Sequence, residues 1–169
     1  MWTSIIERIS VVSPTLYATL NPAANPDEVS ALERRVGATL PEAFKDYLTT
    51  ANGQNDLGVE HGLHEMHRFL SAREIASMMD LMDSLFGDEE ALEYVAENKV
   101  QPAMWDKLWV PFAEFDGSPR LILDLHPGKN GVAGQILLMF PGVDLEADEI
   151  VIAADFAEFS AALMRDLAA

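Results

Sequence analysis

The sequence predicts an α+β fold: a central antiparallel sheet with N-terminal helices, a mid-chain helical insert and a C-terminal helix packed around it. Two observations carry this. Up to about residue 98, apolar residues recur at steps of three and four and helix-start signals punctuate them. From residue 109 to 140 the chain breaks into short β-prone runs with turn residues, and no helix fits between them. Runs so closely spaced are antiparallel neighbours.

The elements follow in order. Ile5, Ile6, Ile9 and Val12 share helical spacing, and Pro14 closes that segment. Asn25-Pro26-Asp27-Glu28 starts a helix: Asn25 caps, Pro26 fits the first helical position, and Glu28 falls three residues after the cap. Val29, Leu32 and Val36 form its buried stripe and Gly37 ends it. A further helix opens at Leu40-Pro41, with Phe44, Tyr47, Leu48 and Ala51 on one face, and Asn52-Gly53 stops it. Residues 54–63 show no period and read as a loop. Ser71 with Glu74 forms a second capping box, before Ile75, Met78, Met79, Met82 and Leu85; Gly87-Asp88 breaks that helix. Residues 89–98 read as another helical turn or two. Strands are expected at 109–115, 120–125 and 135–140, with a short one at 149–153. Asp155 and Glu158 open the last helix, which buries Phe156, Phe159, Leu163 and Leu167.

Composition narrows the function. The chain has 169 residues, 49% of them apolar, enough for one sizeable core in one domain. There is no cysteine, which excludes a disulfide scaffold, a thiolate zinc site and a cysteine nucleophile, and suits a cytoplasmic setting. The opening MWTSIIERIS carries acid and base before any long apolar run, so no secretory leader is expected. No run approaches the ~18–20 apolar residues of a membrane span. A formal net charge of −17 argues against nucleic acid and anionic lipid and favours a basic protein partner.

Several motifs together resemble a known family. Leu40-Pro41-Glu42-Ala43-Phe44-Lys45-Asp46-Tyr47-Leu48 with Asn52-Gly53 is similar to the LPxxFxxYLxxxNG opening of the SUKH superfamily. Leu70-Ser71-Ala72-Arg73-Glu74-Ile75 matches its LxSxxEI helix start. Its sheet signature follows in order through Trp109, Pro111, Asp116, Gly117, Asp124, Pro127, Gly128, Gly134 and Gln135. Phe156-Ala157-Glu158-Phe159 looks like its closing helix. The resemblance spans residues 26–167, with 1–24 as an N-terminal helical extension of a single domain. It implies a Smi/Knr-like domain without catalysis or cofactor: an immunity protein that binds a cognate toxin, or a regulatory scaffold of the fungal cell-wall-regulator type.

The carboxylates are unevenly placed. Glu74, Asp80, Asp83, Asp88, Glu89, Glu90, Glu93 and Glu97 stand between residues 74 and 98 without one Lys or Arg. Asp144, Glu146, Asp148, Glu149, Asp155 and Glu158 form a second such stretch. Helices usually relieve like charges with opposite ones at i,i+4. An unrelieved run reads either as a solubility device or as a docking face for a basic partner. On the second reading Asp80, Asp83, Asp88, Glu89, Glu90, Glu93 and Glu97 form the partner face. Trp105 is its best anchor, with Met82, Phe86 and Tyr94 as further candidates.

No G-x-S-x-G, H-E-x-x-H, P-loop or G-x-G-x-x-G is present. Asp116-Gly117 and Pro127-Gly128 read as turns. Asp124, between Leu123 and Leu125, is expected on the opposite face from them, as a buried structural acid. His61, His64 and His67 are the residues a metal enzyme would use. On a helix His67 would drift off the face that His61 and His64 share, and on a strand His64 would point away from the other two. The segment is therefore expected to carry exposed loop histidines and no metal.

Overall fold

The computed structural model describes residues 1–55, 62–89, 96–139 and 150–169. Four helices come first: α1 (Trp2–Val12), α2 (Pro14–Tyr17), α3 (Pro26–Val36) and α4 (Glu42–Leu48). Strand β1 (Arg68–Phe69), helix α5 (Ala72–Phe86) and a 3₁₀ turn at Ala96–Asn98 follow. Strands β2 (Trp109–Phe115), β3 (Ser118–Asp124), β4 (Gln135–Leu138) and β5 (Val151–Ala153) precede helix α6 (Phe156–Asp166). The sheet is an antiparallel meander in the order β1-β2-β3-β4-β5.

The helix starts are those the side chains dictate. Asn25 accepts from the Glu28 N–H at 2.9 Å while the Glu28 carboxylate accepts from the Asn25 N–H at 3.0 Å. Gly37 ends α3 in the left-handed region at φ +77°, where a Cβ is disfavoured. Ser71 and Glu74 make the same reciprocal pair ahead of α5. Asp155 caps α6, but Glu158 reaches back to the Ala154 N–H instead of its own cap residue.

Pro14 does more than close α1: it is the first residue of α2, where its missing N–H costs nothing. Gly53 has the expected positive φ, +74°. Asn52 instead caps α5 through space, its Oδ1 accepting from the Ala72 N–H at 2.8 Å. Leu85, which shares that helical spacing, is 56% exposed, while Ala72, Ile75, Met79 and Met82 of α5 are buried. The segment after Gly87 is a 3₁₀ turn at Ala96–Asn98, and residues 90–95 lie outside the described residues, as do 56–61 and 140–149.

Strand alternation splits the core in two. Val110, Phe112, Leu121, Leu123 and Ile136 face a large cluster with Trp2, Phe44, Tyr47, Phe69, Phe156 and Phe159. Trp109, Ile122 and Leu137 face a smaller one with Met82, Val100, Trp105, Met139 and Ile150. Phe112 and Ala113 both belong to the large cluster although they are adjacent in sequence. The register slips on either side of Ala113, and that irregularity follows directly on Pro111 inside a paired strand.

Strand β1 was missed by sequence reasoning. Two residues give no alternation to read, and the strand exists because Gln54 closes its outer edge. The Gln54 carbonyl accepts from the N–H groups of Leu63 and Phe69, both at 3.0 Å, and its amide donates to Thr19 at 2.9 Å. A fully buried glutamine thus substitutes for a neighbouring strand.

Candidate functional site

The acidic segment is relieved through space where sequence neighbours give no relief. Arg35 of α3 donates from Nε to Asp80 at 2.6 Å and from an Nη to Asp83 at 2.8 Å. The other oxygen of Asp83 accepts from the indole N–H of Trp105 at 3.1 Å. Glu74 is occupied by the α5 cap and by Arg68 at 2.9 Å, and Glu97 pairs with Lys99. Asp88 and Glu89 stand exposed after the end of α5 and make no ion pair among the described residues. Glu90, Glu93 and Tyr94 lie outside the described residues.

Trp105, expected as an exposed anchor, is only 6% exposed. It packs edge-on against Trp109 with ring centroids 5.7 Å apart, so it closes the smaller cluster instead of presenting its ring to solvent. Met82 is buried in the same cluster and Phe86 packs against it.

The residues that resembled a sheet signature have distinct structural roles. Asp116 and Gly117 have φ of +51° and +77°, the two left-handed positions of a two-residue hairpin linking β2 and β3. Asp124 is completely buried on the Ile122 face, as its alternation predicts. Its carboxylate accepts from the Gln135 amide at 2.8 Å and the His126 backbone at 3.0 Å. Burial pushes its pKa up to about 6, against the pull of those donors. The indole N–H of Trp109, its cross-strand partner, adds a weaker pull without forming a well-shaped hydrogen bond among the described residues.

Gln135 extends this polar pin. Its amide also donates to the Lys99 carbonyl at 2.8 Å, and its own carbonyl accepts from Val132 at 3.1 Å. Gly128 donates to the same Lys99 carbonyl at 2.9 Å, and a Cβ there would sit 2.4 Å from the Asn98 carbonyl oxygen. Gln101 donates to the Pro127 carbonyl at 2.9 Å, and Gly134, at φ +92°, donates to the Asp124 carbonyl. These side chains lock the 98–101 segment onto the ends of β3 and β4. The Asp124 carboxylate is sealed from solvent; its neighbour His126 is exposed and bonds Asp106 at 2.8 Å.

The histidines are arranged differently from either regular geometry. Residues 62–67 form a tight turn, with the Gly62 N–H bonded to the Glu65 carbonyl and the His67 N–H to the His64 carbonyl. Gly62 is required there, since a Cβ would fall 1.7 Å from the His67 carbonyl oxygen. The turn brings His64 and His67 together, Nδ1 to Nδ1 at 3.3 Å, with Glu65 beside them at φ +54°. The helix-or-strand argument against a shared face therefore does not apply to this pair. Burial, and then the neighbouring His64, push the His67 imidazole below the ordinary histidine value. His61 lies outside the described residues.

No curated protein matches the chain. The SMI1 / KNR4 family (SUKH-1) model matches residues 23–162, which covers α3, α4, the whole meander and the first half of α6. With the motifs of α4, the α5 cap and the β2–β4 pin all inside that match, the chain belongs to the SMI1 / KNR4 family (SUKH-1).

Proposed function

We propose that this chain is a non-catalytic, cytoplasmic binding protein of the immunity type, which neutralises a basic toxin by covering it with an acidic surface. Membership of the SMI1 / KNR4 family supports an immunity-type or regulatory role. The observation that carries the acidic-surface reading is the state of Asp88 and Glu89. They are exposed and without an ion pair among the described residues, and they lead directly into Glu90 and Glu93. Arg35 removes Asp80 and Asp83 from the free charge, so the docking face centres on residues 88–93 and not on the body of α5. No helix among the described residues is long and apolar enough to cross a membrane.

A toxin that cuts nucleic acid needs a positive cleft for phosphates, and carboxylates that occupy the cleft inhibit without chemistry. The test is co-expression with the product of the adjacent gene. Survival of cells making that product, and a complex on pull-down, are the expected results; neither survival nor complex refutes the reading. Reversing Glu89, Glu90 and Glu93 to Lys together should weaken the complex and make association less salt-sensitive, while thermal stability holds. Unchanged affinity would move the interface to the loops around Asp116 and Gly128.

A further inference from the structure

We propose that His64, Glu65 and His67 form a zinc-binding site, independent of the acidic docking face. The nitrogen, carboxylate and nitrogen donors they offer all lie within 4.8 Å of one another. Two ligands about 2.0–2.1 Å from a tetrahedral ion stand about 3.3–3.4 Å apart, and the two Nδ1 atoms are separated by 3.3 Å. Read as a ring-to-ring hydrogen bond, the same distance lies beyond the usual reach of ~2.7–3.2 Å. In the tautomer protonated at Nδ1, His67 has a better acceptor in the His64 carbonyl at 3.1 Å.

The backbone holds this arrangement at a cost. Glu65 is a non-glycine residue in the left-handed region, and Gly62 admits no side chain. The His64 ring is backed by Phe159 at 5.4 Å between centroids, which limits its freedom. His64 and Glu65 also line one end of a groove of about 330 Å³ whose other walls include Leu138, Ile152, Phe159 and Leu163. Two imidazoles and a carboxylate suit zinc, and a set of three protein ligands leaves a position for water or for an incoming side chain.

Loading proceeds without net proton loss. The rings stack at 5.5 Å between centroids with the two Nδ1 atoms 3.3 Å apart, and coordination would require both lone pairs to point at the ion. His67 would bind as the neutral tautomer that carries its proton on Nε2, giving up the contact of Nδ1 with the His64 carbonyl.

The experiment uses the full chain without an affinity tag, stripped with a chelator and titrated calorimetrically with zinc chloride. One equivalent should bind, and the melting temperature should rise with zinc. His64→Ala and His67→Ala should each weaken binding at least about tenfold, Glu65→Gln by less, and His126→Ala not at all. Circular dichroism checks each fold. Should His67→Ala unfold, His64→Ala and the exposed Glu65→Gln still decide the matter. Absence of stoichiometric uptake overturns the site, as does uptake that His64→Ala leaves unchanged, which would assign the ion to the many surface carboxylates.

Discussion

The two faces of the sheet are built on different physics. On one, Phe112 sits amid Phe44, Phe69, Phe156 and Phe159 with centroids 5.3–5.8 Å apart, and α1, α4 and α6 close over it. Trp2 joins this box from the other end of the chain, donating its indole N–H to Ser160 at 3.0 Å. On the other face eight buried apolar residues among those described are held together with polar pins: Asp124 to Gln135, Gln135 to Lys99, and Trp105 to Asp83. The first face is apolar volume closed by helices. The second depends on hydrogen bonds, of which Asp124 to Gln135 is buried and the other two are partly buried.

That contrast can be broken, most severely by Phe112→Ala. Removing a ring with four aromatic neighbours should cost about 3–5 kcal/mol in denaturant unfolding, because the sheet below and the helices above prevent the cavity from collapsing. A loss under about 1 kcal/mol would show that the aromatic box is not the stability centre.

The second face should show itself through pH. Asp124 carries a folded pKa near 6, above its unfolded value near 3.8. The folded protein therefore binds this proton more tightly, and the associated stability is complete below about pH 4 and lost as pH rises through 6. The change is on the order of 2 kcal/mol. Melting temperatures of wild type and Asp124→Asn from pH 4 to 7 isolate it: the wild-type advantage should shrink as pH rises. A constant difference would mean the carboxyl is not desolvated.

A smaller effect sharpens the picture of Trp105. Trp105→Phe keeps a ring against Trp109 but removes the donor to Asp83, and about 1 kcal/mol should be lost in thermal unfolding. Loss comparable to that of Phe112→Ala would make the two faces alike after all.

Much of the fold is legible in the residues because local rules and tertiary demands agree there. Asn25 with Glu28, Ser71 with Glu74, and Gly37 announce helix ends through hydrogen bonds closed within a few residues. Asp116-Gly117 announces a hairpin through the one turn that needs two left-handed residues. Asp124 was legible as a buried acid from alternation alone, though its partner Gln135 was not. Leu85 stays exposed although it shares the spacing of Ile75, Met79 and Met82, because spacing marks a possible face and whether it is covered depends on what packs there.

The candidate site was less legible, for the same reason. The sequence by itself determined that the chain is acidic, without thiols, α+β, built on the family's motifs and unevenly charged. Tertiary structure alone decided which of those charges are paired: Arg35, some forty-five residues away, reaches Asp80 and Asp83, while Asp88 and Glu89 make no ion pair among the described residues. It also buried Trp105, closed the edge of β1 with Gln54 and brought His64 against His67. Caps and turns are fixed by interactions within a few residues, whereas neutralisation, burial and ligand convergence depend on distance in space, which no local rule encodes.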